Sequence, residues 1–171
     1  QQVAIRHPEI VTKLILCAPN PGGQNAAKTP LNTETELSSP TVSSQQKLLM
    51  VFGSDSQGMA AAEAFTERLK QALENGSIPN DMSVSDETMA RQKRARTELW
   101  GNDNSNYNDL PSIKVPTLVV DGRNDIIDLP ANVSIIANRI PYAWAVYLNG
   151  GHGFLFQYHK QFAELVRVFL Q

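Results

Sequence analysis

The sequence predicts an α/β fold in which three mostly parallel strands carry flanking helices and one long helical insertion. Two observations predict it. Apolar runs of strand length stand at residues 13–18 (K-L-I-L-C-A), within residues 113–122 (I-K-V-P-T-L-V-V-D-G) and at residues 144–149 (W-A-V-Y-L-N). Segments with helical spacing precede, separate and follow them. The runs are almost continuously apolar, the pattern of strands buried on both faces of a parallel sheet.

Residues 1–9 read as a helix already under way, with Val3, Ala4 and Ile5 apolar and Pro8 near its end. The first strand run, 13–18, contains the lone Cys17, which cannot form an internal disulfide and reads as a small buried strand residue. That usage fits a reducing, cytoplasmic setting. Residues 19–44 are rich in Pro, Gly, Asn, Ser and Thr and read as an irregular excursion. From 45 to 101 the pattern is helical. Within it, 58–75 spaces Ala61, Phe65, Leu69 and Leu73 by four and sets Gly76 as terminator. A second helix over 86–100 holds the basic cluster R-Q-K-R-A-R, which Glu87 and Glu98 balance into a solvated face.

The second strand run is entered through Pro116, tolerated at a strand's first residues. Residues 129–140 (L-P-A-N-V-S-I-I-A-N-R-I) form a helix with Pro130 in its first turn. The third strand run leads to Gly151-His152-Gly153, and a last helix over 158–170 turns Phe162, Leu165, Val166 and Phe169 inward. The whole of 1–171 reads as one domain, with 19–110 inserted between its first two strands. No internal repeat interrupts it.

Composition narrows the function classes. The 171 residues are 42% hydrophobic and carry a net charge of −2, which gives no reason to expect nucleic acid or an anionic membrane as partner. No apolar run approaches the ~20 residues that span a bilayer. The opening lacks the basic-then-apolar layout of a secretory signal, although a truncated start would hide one. The sequence shows no metal cluster, phosphate loop or dinucleotide fingerprint, so neither cofactor nor metal is expected.

The chemistry concentrates at two strand ends. Asp125 follows the second strand in D-G-R-N-D, and His152 follows the third in G-G-H-G. A strand ending at a turn with an Asp, then a strand ending at Gly-His-Gly, commonly delivers an acid and a base to a serine nucleophile. Imidazole titrates near neutrality, so it can take a hydroxyl proton and return it to a leaving group. A carboxylate on its far nitrogen fixes the tautomer and stabilises the imidazolium. Asp121 and Asp128 are rivals for the acid, one belonging to the strand end and the other to the next helix start. His7 and His159 read as solvent-facing helix residues.

Taken in order, these segments resemble the C-terminal half of the α/β-hydrolase fold. Q-Q-V-A-I-R-H-P-E-I-V-T-K-L-I-L-C-A-P is similar to the helix after the nucleophile elbow running into the sixth strand. V-P-T-L-V-V-D-G-R-N-D resembles the strand with the triad acid, and G-G-H-G-F-L-F-Q the loop with the triad base. Residues 19–110 resemble the helical cap. The group most resembled is that of bacterial esterases, lactonases and haloperoxidase-like proteins. The resemblance assigns Asp125 as acid and His152 as base, with a small ester-like molecule as substrate.

The pattern departs from that group in lacking G-x-S-x-G. The resemblance places the nucleophile about half a dozen residues before Gln1 and the oxyanion amides upstream as well. The chain by itself is therefore expected to be inactive. One internal substitute exists: 48–52 followed by G-S-D-S-Q-G mimics strand, turn and helix, with Ser56 as nucleophile. Its first small residue is Ser54 rather than Gly, and Ser54 or Asp55 also suits a helix cap.

A half-sheet would leave 13–18 as an open apolar edge. The expectation is a homodimer, through that strand or exchanged cap helices, unless another chain supplies the missing half. Besides a hydrolase fragment, the sequence allows a non-catalytic oligomeric domain, or a small-molecule-binding domain with Trp100, Tyr107 and Phe154 lining an apolar pocket rather than packing in the core.

Overall fold

The computed structural model describes residues 1–79, 81 and 83–171. Helix α1 (Gln2–Arg6) passes through a 3-10 turn at Pro8–Ile10 into strand β1 (Leu14–Cys17). Strands β2 (Thr117–Gly122) and β3 (Ala143–Leu148) complete a parallel sheet of order β1-β2-β3. Leu14 lies opposite Thr117 and Cys17 opposite Val120, while Thr117 faces Ala143 and Gly122 faces Leu148. The three strand expectations hold within a residue or two at most ends, and β2 starts at Thr117, just after Pro116.

β2 is the axis of the core. All six of its residues are buried, and strand geometry turns neighbours to opposite faces. Val119 packs with Leu110, Ile113, Val133 and Ile136 on one side. Leu118 and Val120 pack with Phe154 and Phe169 on the other. A strand buried on both faces has no room for polar alternation, hence the unbroken T-L-V-V. β1 is only half-buried, and in β3 Trp144 and Ala145 are exposed.

Between β1 and β2 run α2 (Leu31–Ser38), α3 (Ser44–Phe52), α4 (Ser56–Glu74), α5 (Asp86–Arg94) and α6 (Ser105–Asp109). Residues 80 and 82 of the stretch read as helical lie outside the described residues. Two expectations need correction. The excursion over 19–44 contains α2, whose L-N-T-E-T-E-L-S is too polar to show an apolar stripe although Thr33 is buried. The helix over 86–100 changes at Ala95 into a π-helical turn, Ala95–Trp100, closed by Gly101 N–H donating to Arg96 O at 2.8 Å. Residues 48–52 lie in a helix, as the helical pattern over 45–101 predicts, so the strand that an elbow at Ser56 would need is absent there. Ser43 and Gln46 form a reciprocal capping box that starts α3, and Gly53 at φ +98° ends it.

The cap of α4 is Asp55, whose Oδ1 accepts from Gly58 N–H at 2.7 Å. Gly76, at φ +72°, terminates the helix with its N–H on Leu73 O. The three arginines of the basic cluster are paired: Arg91 with Glu87, Arg94 with Glu98 and Arg96 with Glu34, all solvent-exposed or nearly so. Beyond β2, α7 (Ala131–Ala137) crosses over to β3, and α8 (Phe154–Gln157) precedes α9 (His159–Leu170). Of the four α9 residues expected inward, Phe169 is buried and the other three are half-buried. Cys17, expected buried, is half-buried as well. Among the described residues no helix is long and apolar enough to cross a membrane.

Candidate active site

β2 and β3 are parallel, so their carboxyl ends emerge side by side, where ligands bind in open α/β sheets. The turns that follow are laced together. Arg123 N–H donates to Leu148 O and Asn124 N–H to Gly150 O, both at 2.8 Å. Gly122 makes this approach possible, because a Cβ there would collide with the carbonyl oxygens of Gly150 and Gly151. α3 supports the second turn from outside: Gly153 N–H donates to Val51 O at 2.9 Å. Gln157 joins the two, accepting from Gly151 N–H at 3.1 Å and donating to Phe52 O at 2.8 Å.

This lacing brings Asp125 and His152 into contact. His152 Nδ1 stands 2.8 Å from Asp125 Oδ2. Asp125 is buried, and its Oδ1 accepts the N–H groups of Ile127 at 2.6 Å and Asp128 at 3.1 Å. These bonds hold the carboxylate in one orientation. With Nδ1 engaged, Nε2 is the ring nitrogen left to exchange a proton, and a third of the His152 side chain stays accessible. The bond to Asp125 pushes the His152 pKa up, against the opposing effect of burial, and Asp128 adds to the rise.

Asp128 adds a second carboxyl group beside the imidazole, and Asp121 stands behind Asp125. Neither makes a hydrogen bond to His152 among the described residues. Burial pushes the Asp128 pKa up, while an Asn20 Nδ2 donor at 3.1 Å and His152 pull it back. Asp121 is fully buried and is pushed up to about 8, by burial first and by Asp125 next. Asn20 stands just past Ala18, which holds φ +45° at the end of β1. Neither Asn20 nor Gln157 had a role in the sequence reading; only the G-G-H-G-F-L-F-Q motif contained one of them.

Ser56 opens α4 on the exposed surface and makes no hydrogen bond with His152 among the described residues. The segment around it is helix, turn, helix, which lacks the strand that a nucleophile elbow requires. The three aromatics do not share a pocket. Phe154 is core, and Tyr107 is half-buried under the Arg139 guanidinium at 4.6 Å. Trp100 borders a cavity of about 420 Å³ with Asn20, Lys28, Arg96 and Asp128. No group of three or more His, Cys, Asp or Glu among the described residues is disposed to hold a metal ion.

No protein-family profile matches the chain, and no curated protein matches it in sequence. Solved structures match it over nearly its whole length. An α/β hydrolase fold protein from Chitinophaga pinensis superposes with a TM-score of 0.79 at 22% identity, over 99% of this chain and 60% of that one. The enol-lactonase from Burkholderia xenovorans LB400 gives 0.67 at 18% identity, over 98% and 59%. An N-acyl homoserine lactone degrading enzyme gives 0.65 at 22%, over 98% and 61%. The chain spans about 60% of the length of these structures. Over that length, it has the α/β-hydrolase fold.

Proposed function

We propose that this chain supplies the acid and the base of a serine-type hydrolase acting on esters or lactones. The observation that carries the reading is the 2.8 Å contact between His152 Nδ1 and the buried, doubly anchored Asp125. An imidazole so held can draw a proton from a hydroxyl nucleophile through Nε2 and pass it to the leaving alkoxide. Asp125 stabilises the imidazolium formed in between. The nucleophile and oxyanion amides come from outside residues 1–171, because no serine in the sequence stands in G-x-S-x-G. The lactone-degrading proteins among the matching structures favour a cyclic ester, with 19–110 acting as its cap.

Residues 1–171 by themselves are then inert toward a fluorophosphonate probe and toward activated esters. Joined to a segment bearing G-x-S-x-G, the protein labels at that serine. His152→Ala should then lower kcat by about 10³-fold or more, leaving a residue of oxyanion-hole catalysis. Undiminished turnover in His152→Ala would sink the reading. Labelling of residues 1–171 at Ser56 would replace it with an internal nucleophile.

The acid limb of the kcat/KM profile follows from His152. The base works as neutral imidazole, and its pKa is raised, so activity falls as pH drops through a value above the ordinary 6.5. Asp125→Asn removes the main cause of the rise and should move that limb downward while cutting the rate. A limb that stays in place argues against the pair.

A further inference from the structure

The proposed chemistry leaves Asp121 and Asp128 idle, and the surroundings of Asp121 are the more unusual. It is the last side chain of β2 before Gly122, with no solvent exposure. Its Oδ1 accepts the N–H of Gly122 at 2.7 Å. Its Oδ2 is buried without any hydrogen-bond partner among the described residues. An ionised carboxylate abandoned in this way is costly. Yet Asp125 belongs to the same turn, its N–H donating to Gly122 O at 3.2 Å, and its carboxyl is the strongest charge acting on Asp121 after burial. Two carboxylates are both acceptors and cannot satisfy one another. Add one proton, and the orphaned Oδ2 becomes a donor, with the carboxylate that holds His152 as an acceptor in the same turn.

The charged and titratable groups facing Asp121 agree with that reading. β1 contributes the Cys17 thiol, itself pushed up by burial and by Asp121. The turn after β2 contributes Asp125 and Asp128, both acidic. β3 contributes Tyr147, the register partner of Asp121, whose ring carries the Arg123 guanidinium at 5.8 Å. No cation is among the causes acting on its carboxyl; every charged one is acidic. Nothing in this shell favours an ionised Asp121 apart from the Gly122 N–H.

We propose that Asp121 is a positioning residue, a buried hydrogen-bond donor to Asp125 that completes the carboxylate's shell behind His152. This rests on the assignment of Asp125 and His152 as acid and base. Asp125 then receives four donors: two backbone amides, the His152 ring and the Asp121 hydroxyl. A carboxylate with two lone pairs on each oxygen is saturated by that number. The site also carries one fewer negative charge than its three acids would suggest.

The test needs no turnover. In the full chain, a ¹³C-carboxyl NMR titration should place the Asp121 inflection well above the ordinary carboxylate range. An inflection near the usual value of about 4 overturns the proposal. Asp121→Asn keeps a donor in the same place, so the downfield His152 Nδ1–H resonance, which reports the bond to Asp125, should persist. Asp121→Leu removes the donor, and that resonance should broaden or vanish. Equal spectra in the two variants overturn the positioning role. If Asp121→Leu does not fold, the wild-type titration still decides. Failure to hydrolyse any ester or lactone would sink the proposed activity and leave this titration as it is.

Discussion

Folding a carboxyl group as deeply buried as Asp121 is a proton-uptake event. Its folded pKa of about 8 stands above the ordinary carboxylate value of 3.8, so between those values the folded state binds more protons than the unfolded chain. Stability from this group is therefore greatest below about pH 4, declines as pH rises, and levels off above about 8. His152 acts in the same direction, because its raised pKa contributes stability below about 6.5 that is lost as pH rises through the folded value. Each pKa unit is worth about 1.4 kcal/mol, so the Asp121 contribution is on the order of several kcal/mol. Asp121→Asn should flatten the decline between about pH 5 and 8.5 relative to wild type, as read from urea midpoints. Parallel profiles in the two proteins would mean that Asp121 ionises normally. Sequence legibility at this scale was uneven for a physical reason. His152 stands between two glycines and Asp125 follows D-G in the turn after β2, which marks strand ends presented to a site. Asp121 reads as one more polar residue at such an end, and its burial depends on turns from two strands closing over it.

Elements hold the pair through backbone contact more than through side chains. Gly122 admits the carbonyl oxygens of Gly150 and Gly151, and that approach sets the separation of the two turns. In Gly122→Ala the added methyl meets backbone, which cannot rotate away. The expected loss is about 1–3 kcal/mol of stability together with a His152 pKa that returns toward the ordinary value as its bond to Asp125 breaks. Unchanged His152 titration in a folded Gly122→Ala protein would refute this account. Phe154→Ala should cost about 3–5 kcal/mol, since the ring is fully buried between β2 and α9 at the start of the helix after His152. Ser43→Ala removes only the α3 cap and should cost about 1 kcal/mol. The strands were readable because runs such as L-V-V in the sheet centre admit no polar residue. α2 was not, and 48–52 read as helical only from its neighbours. L-N-T-E-T-E-L-S is too polar to show a stripe, and K-L-L-M-V-F is apolar enough to pass for a strand. The S-x-x-Q capping box at Ser43 and Gln46 was the signal that separates helix from strand there.

Across the whole molecule the sheet is asymmetric. β2 is enclosed, whereas β1 has β2 on one side and, among the described residues, no strand on the other. Proteins guard such edges with charge, proline or a bulge, and L-I-L-C contains none of these. The adjacent Lys13 does not guard it either, because its ammonium reaches back to Phe169 O at 3.0 Å. We propose that residues 1–171, expressed by themselves, associate through this edge, either with a second copy or with a segment that adds a parallel strand. The ladder itself supplies a selective test. Leu14 N–H donates to Pro116 O and Ala18 N–H to Val120 O, so the even positions face β2. In a parallel strand alternate residues bond opposite neighbours, which turns the amides of Ile15 and Cys17 to the open side. Ile15→Pro deletes an outward donor and leaves the bonds to β2 in place. Light scattering at about 10 μM should show a mass above the monomer for the unaltered chain. For Ile15→Pro the mass should fall to the monomer, with circular dichroism and the His152 titration retained. A monomeric unaltered chain, or equal association in a folded Ile15→Pro, would remove β1 as the contact and turn attention to exchange of α3 and α4.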